Sequence, residues 1–120
     1  MLEKVSLEEK FGSFDDLWRP RIAGGVNDVD VKLAKLKGEF VWHHHPREDE
    51  LFLVVRGRLT MRLRDGAVEV GPGEFLIVPA GVEHLPVADE ETWVLLVEPR
   101  STLNTGNVRN ARTVETLDRV

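Results

Sequence analysis

The stretch from Arg58 to Val70, RLTMRLRDGAVEV, leaves the chain little choice of local structure. Leu59, Met61 and Leu63 fall on one side of an extended backbone, with Arg58, Thr60, Arg62 and Arg64 on the other. An alternation of period two means a strand with one buried and one wet face. Asp65-Gly66 follows directly and predicts a hairpin turn whose two central residues take positive φ, with AVEV as the return strand. Gly71-Pro72-Gly73 turns the chain again. DVDVKL reads as a similar alternating strand, with Val29, Val31 and Leu33 on one face. From Trp18 onward, short segments rich in Val, Leu, Ile and Phe are cut by Gly, Pro and Asp at intervals of about 8 to 12 residues, the texture of an all-β domain. The exception is SLEEKF near the N-terminus, where Ser6 and Glu9 form a capping box for a short helix that Gly12 ends.

LFLVV, FLIV and WVLLV are apolar on both faces, so these strands are covered on both sides. The outer cover comes from a second copy of the chain, making a homodimer, or from the terminal segments. The last stretch, NTGNVRNARTVETLDRV, reads as loop followed by a short tail element. At 120 residues, with no internal repeat or linker, residues 1–120 are expected to form one domain.

Composition narrows the function. With no cysteine, a metal site here must use imidazole and carboxylate rather than thiolate. Sixteen basic against twenty-one acidic side chains give a net charge of -5, which argues against nucleic acid as a partner. The arginine row of RLTMRLR reads as a solvated sheet face. No apolar run approaches the roughly 20 residues that cross a bilayer, and MLEKVSLEEKF is charged where a signal peptide is apolar, so no membrane and a cytoplasmic location are expected.

Three of the four histidines stand together in EFVWHHHPREDE. Phe40, Val41 and Trp42 favour β structure. Alternation then puts His43 and His45 on the face of Val41, with His44 on the other face beside Phe40 and Trp42. Two imidazoles at i and i+2 start roughly 6.5 to 7 Å apart at Cα, close enough to bind one ion. Pro46 breaks the strand, so parity cannot be carried past it. Glu48, Asp49 and Glu50 are all candidate carboxylates, and Glu50 is preferred because it opens the next apolar strand. Trp18, Trp42 and Trp93 read as core or interface, and Asn104-Thr105-Gly106 as a turn.

Gly38, His43, His45, Glu50 and Gly57 together resemble the first motif of the cupins, a glycine, His-x-His, a glutamate and a second glycine. Gly73, Pro79, Gly81 and His84 resemble the second motif. Four residues rather than the usual five separate Gly38 from His43, and Ala88 stands where the second motif often ends in Asn. Neither departure touches a ligand position. The resemblance implies a small double-sheet jelly-roll barrel, a double-stranded β-helix, with its motifs within residues 38–84. It also implies that His43, His45, Glu50 and His84 bind a divalent transition metal. Three imidazoles and a carboxylate suit Fe, Mn, Ni, Co or Zn and leave positions for a small-molecule substrate. The expected function is a metal-dependent enzyme of dioxygenase, isomerase or lyase type, acting on a small polar oxygen-containing substrate. The alternative is a non-catalytic module that binds a sugar or organic acid in the same pocket. No residue is identified as a separate general base.

Overall fold

In the computed structural model, which describes residues 2–120, the helix α1 spans Leu7–Phe11. Ser6 caps it, its hydroxyl accepting from the Glu9 backbone N–H at 3.3 Å. Seven strands follow: β1 Arg21–Val26, β2 Val29–Glu39, β3 Glu50–Arg56, β4 Leu59–Leu63, β5 Gly66–Val70, β6 Phe75–Val78 and β7 Leu85–Pro99. All pair antiparallel in the order β1-β2-β7-β3-β6, with β4 on β7 and β5 on β4. The expected all-β architecture with one short N-terminal helix is therefore the architecture found. No helix among the described residues is long and apolar enough to cross a membrane.

Strand β7 makes the sheet fold over. Leu85 to Val87 pair with β4, whereas Trp93 to Val97 pair with β3. The corner between is held by Thr92, whose buried hydroxyl accepts from the Arg58 N–H and donates toward the Arg58 and Glu90 carbonyls. Gly57 permits that approach, since a Cβ there would lie 2.5 Å from the Thr92 hydroxyl. Inside the fold, Phe52 and Val54 of β3, Leu59 and Met61 of β4, and Val94 and Leu96 of β7 form one apolar cluster with Ala34 and Leu36 of β2. Each large side chain fully buried this way stabilises the fold by about 1.5–3 kcal/mol.

Three local expectations need correction. The β4–β5 hairpin exists, but Leu63 pairs with Gly66, so the turn residues are Arg64 and Asp65, and neither Asp65 nor Gly66 has a positive φ. The earlier register sets buried Leu59 opposite buried Val70, and burial of one face decides register. Second, the polar face of β2 points inward. Asp30 and Lys32 are buried in line with Ala34 and Leu36, while Leu33 packs outward beneath Phe11 and Phe14. Third, regular pairing in β2 ends at Glu39, and residues 40–49 carry only one isolated bridge, between His43 and His84. Parity fails there, and Phe40 turns inward with His43, its ring edge-on at 5.4 Å.

The terminal segments supply part of the outer cover. Phe11 stacks on Trp93 at 4.8 Å, and Val120 joins the same cluster after its backbone bonds to Ile22. The cover stops short of β6, where Phe75 and Ile77 remain 59% and 55% exposed.

Candidate metal centre

The His43–His84 bridge builds the site. Two backbone bonds, His43 N–H to His84 O at 3.1 Å and His84 N–H to His43 O at 2.9 Å, bring the two imidazoles to 4.2 Å between ring centroids. Each ring is then oriented by the carbonyl two residues earlier. Nδ1 of His43 lies 2.9 Å from Val41 O, and Nδ1 of His84 lies 2.9 Å from Val82 O. A carbonyl only accepts, so both Nδ1 atoms carry the proton and both Nε2 atoms present a lone pair. This is the usual way in which an outer hydrogen bond fixes a metal-binding tautomer.

His45 enters from the same segment and Glu50 from the first residue of β3. Glu50 Oε1 lies 3.2 Å from His45 Nε2 and 3.5 Å from His84 Nε2. One ligand atom from each of His43, His45, Glu50 and His84 can be chosen so that all lie within 4.8 Å of one another, and all four residues are buried. Both His45 nitrogens, Glu50 Oε1 and His84 Nε2 have no hydrogen-bond partner among the described residues. The short His45–Glu50 distance is thus an approach without hydrogen-bond direction. Buried polar atoms are normally satisfied, and unpartnered atoms on His45, Glu50 and His84, grouped with His43 within 4.8 Å, fit a cation that would be held by three neutral imidazoles and a carboxylate.

The other candidates have different work. Glu48 accepts from the Ser101 hydroxyl at 2.8 Å, and Asp49 accepts from the Ala80 N–H at 2.8 Å, so both acids pin loops. His44 stands outside the four and is half-buried; its backbone N–H donates to Asn107 Oδ1 at 2.8 Å, and its carbonyl accepts from the Asn107 N–H at 3.0 Å. Gly106 sits against that same carbonyl, so the Asn104-Thr105-Gly106 turn clamps the histidine segment. On the outside, Arg64 lies 3.9 Å over the Trp42 ring and pairs with Glu83, as a solvated face would.

A small open cavity lies beside the centre, with walls including Trp18, Leu36, Phe40, Phe52 and Leu96. His43 and Glu50 reach it, and so do Lys32 and Glu98, which the sequence reading left out. Lys32 Nζ lies 3.1 Å from Glu98 Oε2, with both side chains almost wholly buried.

Burial, and next the neighbouring His84, lower the His43 pKa from 6.5 to about 4. Burial alone would raise that of Glu50, but the His45 and His84 imidazoles against its Oε1 outweigh it and hold the carboxyl well below the usual range. Glu98 is pushed well above 4.5, by burial first and then by the Glu50 carboxylate. These directions set a pH dependence. A histidine that is neutral when folded but protonates near 6.5 when unfolded contributes stability that is full above that pH and lost as pH falls toward 4. Glu98 acts oppositely, since its raised pKa adds stability as pH falls. Metal-free Glu98→Gln, lacking that opposition, is expected to lose up to about 3 kcal/mol between pH 6.5 and 4. Urea midpoints at fixed ionic strength check this, and a midpoint that does not move would remove His43 as the cause.

Residues 30–98 match the model of the cupin-domain family. The uncharacterized protein YdbB of Bacillus subtilis is 40% identical over 74 residues, covering 61% of this chain and 66% of YdbB, just under two thirds of its length. Among solved structures, a cupin-2 domain containing protein from Shewanella frigidimarina is 42% identical with a TM-score of 0.79, covering 80% of this chain and 94% of that one. Protein NMB1881 from Neisseria meningitidis is 26% identical with a TM-score of 0.75, covering 81% and 99%.

Proposed function

Since the chain belongs to the cupin family, and its buried His/Glu cluster could hold a metal ion, we propose that it is a metal-dependent enzyme acting on a small, oxygen-bearing substrate. His43, His45 and His84 would hold the ion through imidazole nitrogen, and Glu50 through a carboxylate oxygen. A divalent ion bound there would polarise a substrate oxygen as a Lewis acid or, if redox-active, support oxidation. The chain's own contribution is positional. The Val41 and Val82 carbonyls orient two imidazoles, Glu50 stays ionised, and Trp18, Phe40 and Phe52 keep bulk water from the cavity wall. The observation that carries the reading is the grouping of ligand atoms from His43, His45, Glu50 and His84 within 4.8 Å of one another, with those of His45, Glu50 and His84 buried and unpartnered.

Elemental analysis of untagged protein is expected to find about one transition metal per chain. Metal-free protein from cells grown with ample metal would sink the reading. Tight retention of an unchanged small molecule would favour the binding module over the enzyme.

The outer face of the sheet supports a homodimer. Ile77, Leu51 and Val97 lie in register across β6, β3 and β7, as do Phe75, Leu53 and Leu95, giving two apolar rows that α1 leaves partly bare. A second copy of the same flat apolar face would cover both. Light scattering at micromolar concentration is expected to give twice the 13.6 kDa chain mass, and the monomer mass would exclude the dimer.

A further inference from the structure

Lys32 and Glu98 form the one ion pair among the described residues whose two side chains are both almost wholly buried, at 3.1 Å inside a cavity otherwise walled mostly by apolar groups. The sheet register explains where the pair sits. Asp30 pairs with Glu98 across β2 and β7, and the β3–β7 register that joins Leu51 to Val97 sets Glu50 opposite Glu98. One interior row therefore reads Asp30, Glu98, Glu50, with Lys32 beside it. Like charges directly opposite on a sheet face repel, and a buried pair is often no more stable than apolar residues in its place. Asp30 is answered by Arg100 at 3.3 Å. Among the described residues Glu98 is answered only through Oε2, while its Oε1 is buried without a partner. Lys32 has three N–H donors, and Glu98 is the single partner of its ammonium group among the described residues. The cavity lining thus includes an acceptor and donors with bonding capacity to spare, outside the four-residue centre.

We propose that Lys32 and Glu98 are the specificity pole of the pocket, receiving an alcohol hydroxyl of a ligand whose other end carries the metal-chelating oxygens. The proposal rests on the metal reading above. A hydroxyl donates to Glu98 Oε1 and accepts from Lys32 Nζ, satisfying both at once. A methyl satisfies neither, and buried polar groups left unpaired are costly. A second carboxylate has no proton to donate to Glu98 and adds a negative charge beside Glu98 and Glu50. The ligand class is a small hydroxylated acid or hydroxycarbonyl compound.

The test uses metal-loaded protein and three probes sharing one chelating head: 2,4-dihydroxybutanoate, 2-hydroxybutanoate and malate, whose far ends are a hydroxymethyl, a methyl and a carboxylate. By calorimetry, wild type is expected to bind 2,4-dihydroxybutanoate at least about tenfold tighter than either other probe. Glu98→Gln puts amide N–H donors where the carboxylate only accepts and leaves the lysine cation, so malate is expected to become the tightest ligand. Lys32→Met/Glu98→Leu replaces the pair by apolar groups of similar volume and is expected, in its metal-loaded form, to favour 2-hydroxybutanoate. Equal affinities for the three probes in loaded wild type, binding by none of them, or an unchanged order in Glu98→Gln overturns the proposal alone. Failure of wild type to load metal overturns the metal reading and this proposal with it.

Discussion

His45→Ala is expected to leave the protein with less than about a tenth of its metal, while His44→Ala leaves the content unchanged. The two residues are neighbours in sequence, so composition, expression and net charge are nearly matched. They differ in what surrounds them. His45 brings a buried ring to within 3.2 Å of Glu50 Oε1, with neither nitrogen engaged, whereas His44 lies outside the four and is tied through its backbone to Asn107. Because the His45 ring makes no hydrogen bond in the described structure, its removal from metal-free protein costs only packing, on the order of 1–3 kcal/mol for a buried side chain. The larger effect appears on adding metal. An ion at a hundred times its dissociation constant stabilises a folded protein by about 2.7 kcal/mol. Wild type and His44→Ala should therefore melt higher with metal present, and His45→Ala should not respond. Equal metal loss from both variants, or a His45→Ala protein that still melts higher with metal, would show that the four converging side chains are not the binding site.

How much of this could be read beforehand depended on whether a residue's role lay in its own stretch or in the stretch packed against it. The His43/His45 pair was legible because alternation is local. Glu50 and His84 needed the motif spacing, since Pro46 and a long interval of chain separate them from the pair and no local period crosses those breaks. Alternation carried through EFVWHHH puts Phe40 on the wrong side, because ladder bonding stops at Glu39 and parity has no meaning beyond it. Lys32 and Glu98 were missed for a different reason. In DVDVKL a charged residue at every second position normally marks the wet face, and here α1 covers the Leu33 face and turns the polar one inward. Only the partner elements carry that information. The same holds for the β4–β5 turn, where burial of Leu59 against Val70 overrode the local preference of Asp-Gly.

Gly106→Ala is expected to cost ~2–4 kcal/mol and to lower the melting temperature by roughly 10 °C, the largest stability effect of any single methyl group near the site. Asn104-Thr105-Gly106 reads as an ordinary turn, and a turn glycine replaced by alanine at positive φ costs about 1 kcal/mol. Its φ of 56° falls in that class. The excess comes from what the turn touches. A Cβ at Gly106 would overlap the His44 carbonyl oxygen and sit 2.9 Å from its carbon and 3.1 Å from His43 Cδ2. Neither neighbour can yield cheaply, because His43 is fixed by its bridge to His84 and His44 O already accepts from Asn107. The 104–107 turn must therefore lift away, losing both Asn107–His44 bonds and loosening the segment that aims His43 and His45. Metal affinity should fall together with stability, although Gly106 offers no ligand. Gly81→Ala separates the two causes, since its φ of 85° is strained but a Cβ there meets nothing within 4 Å. It should cost only the conformational part, about 1 kcal/mol. Should the two alanine variants unfold at the same denaturant concentration and hold metal equally well, the turn would be an ordinary bend and not the clamp on the histidine segment.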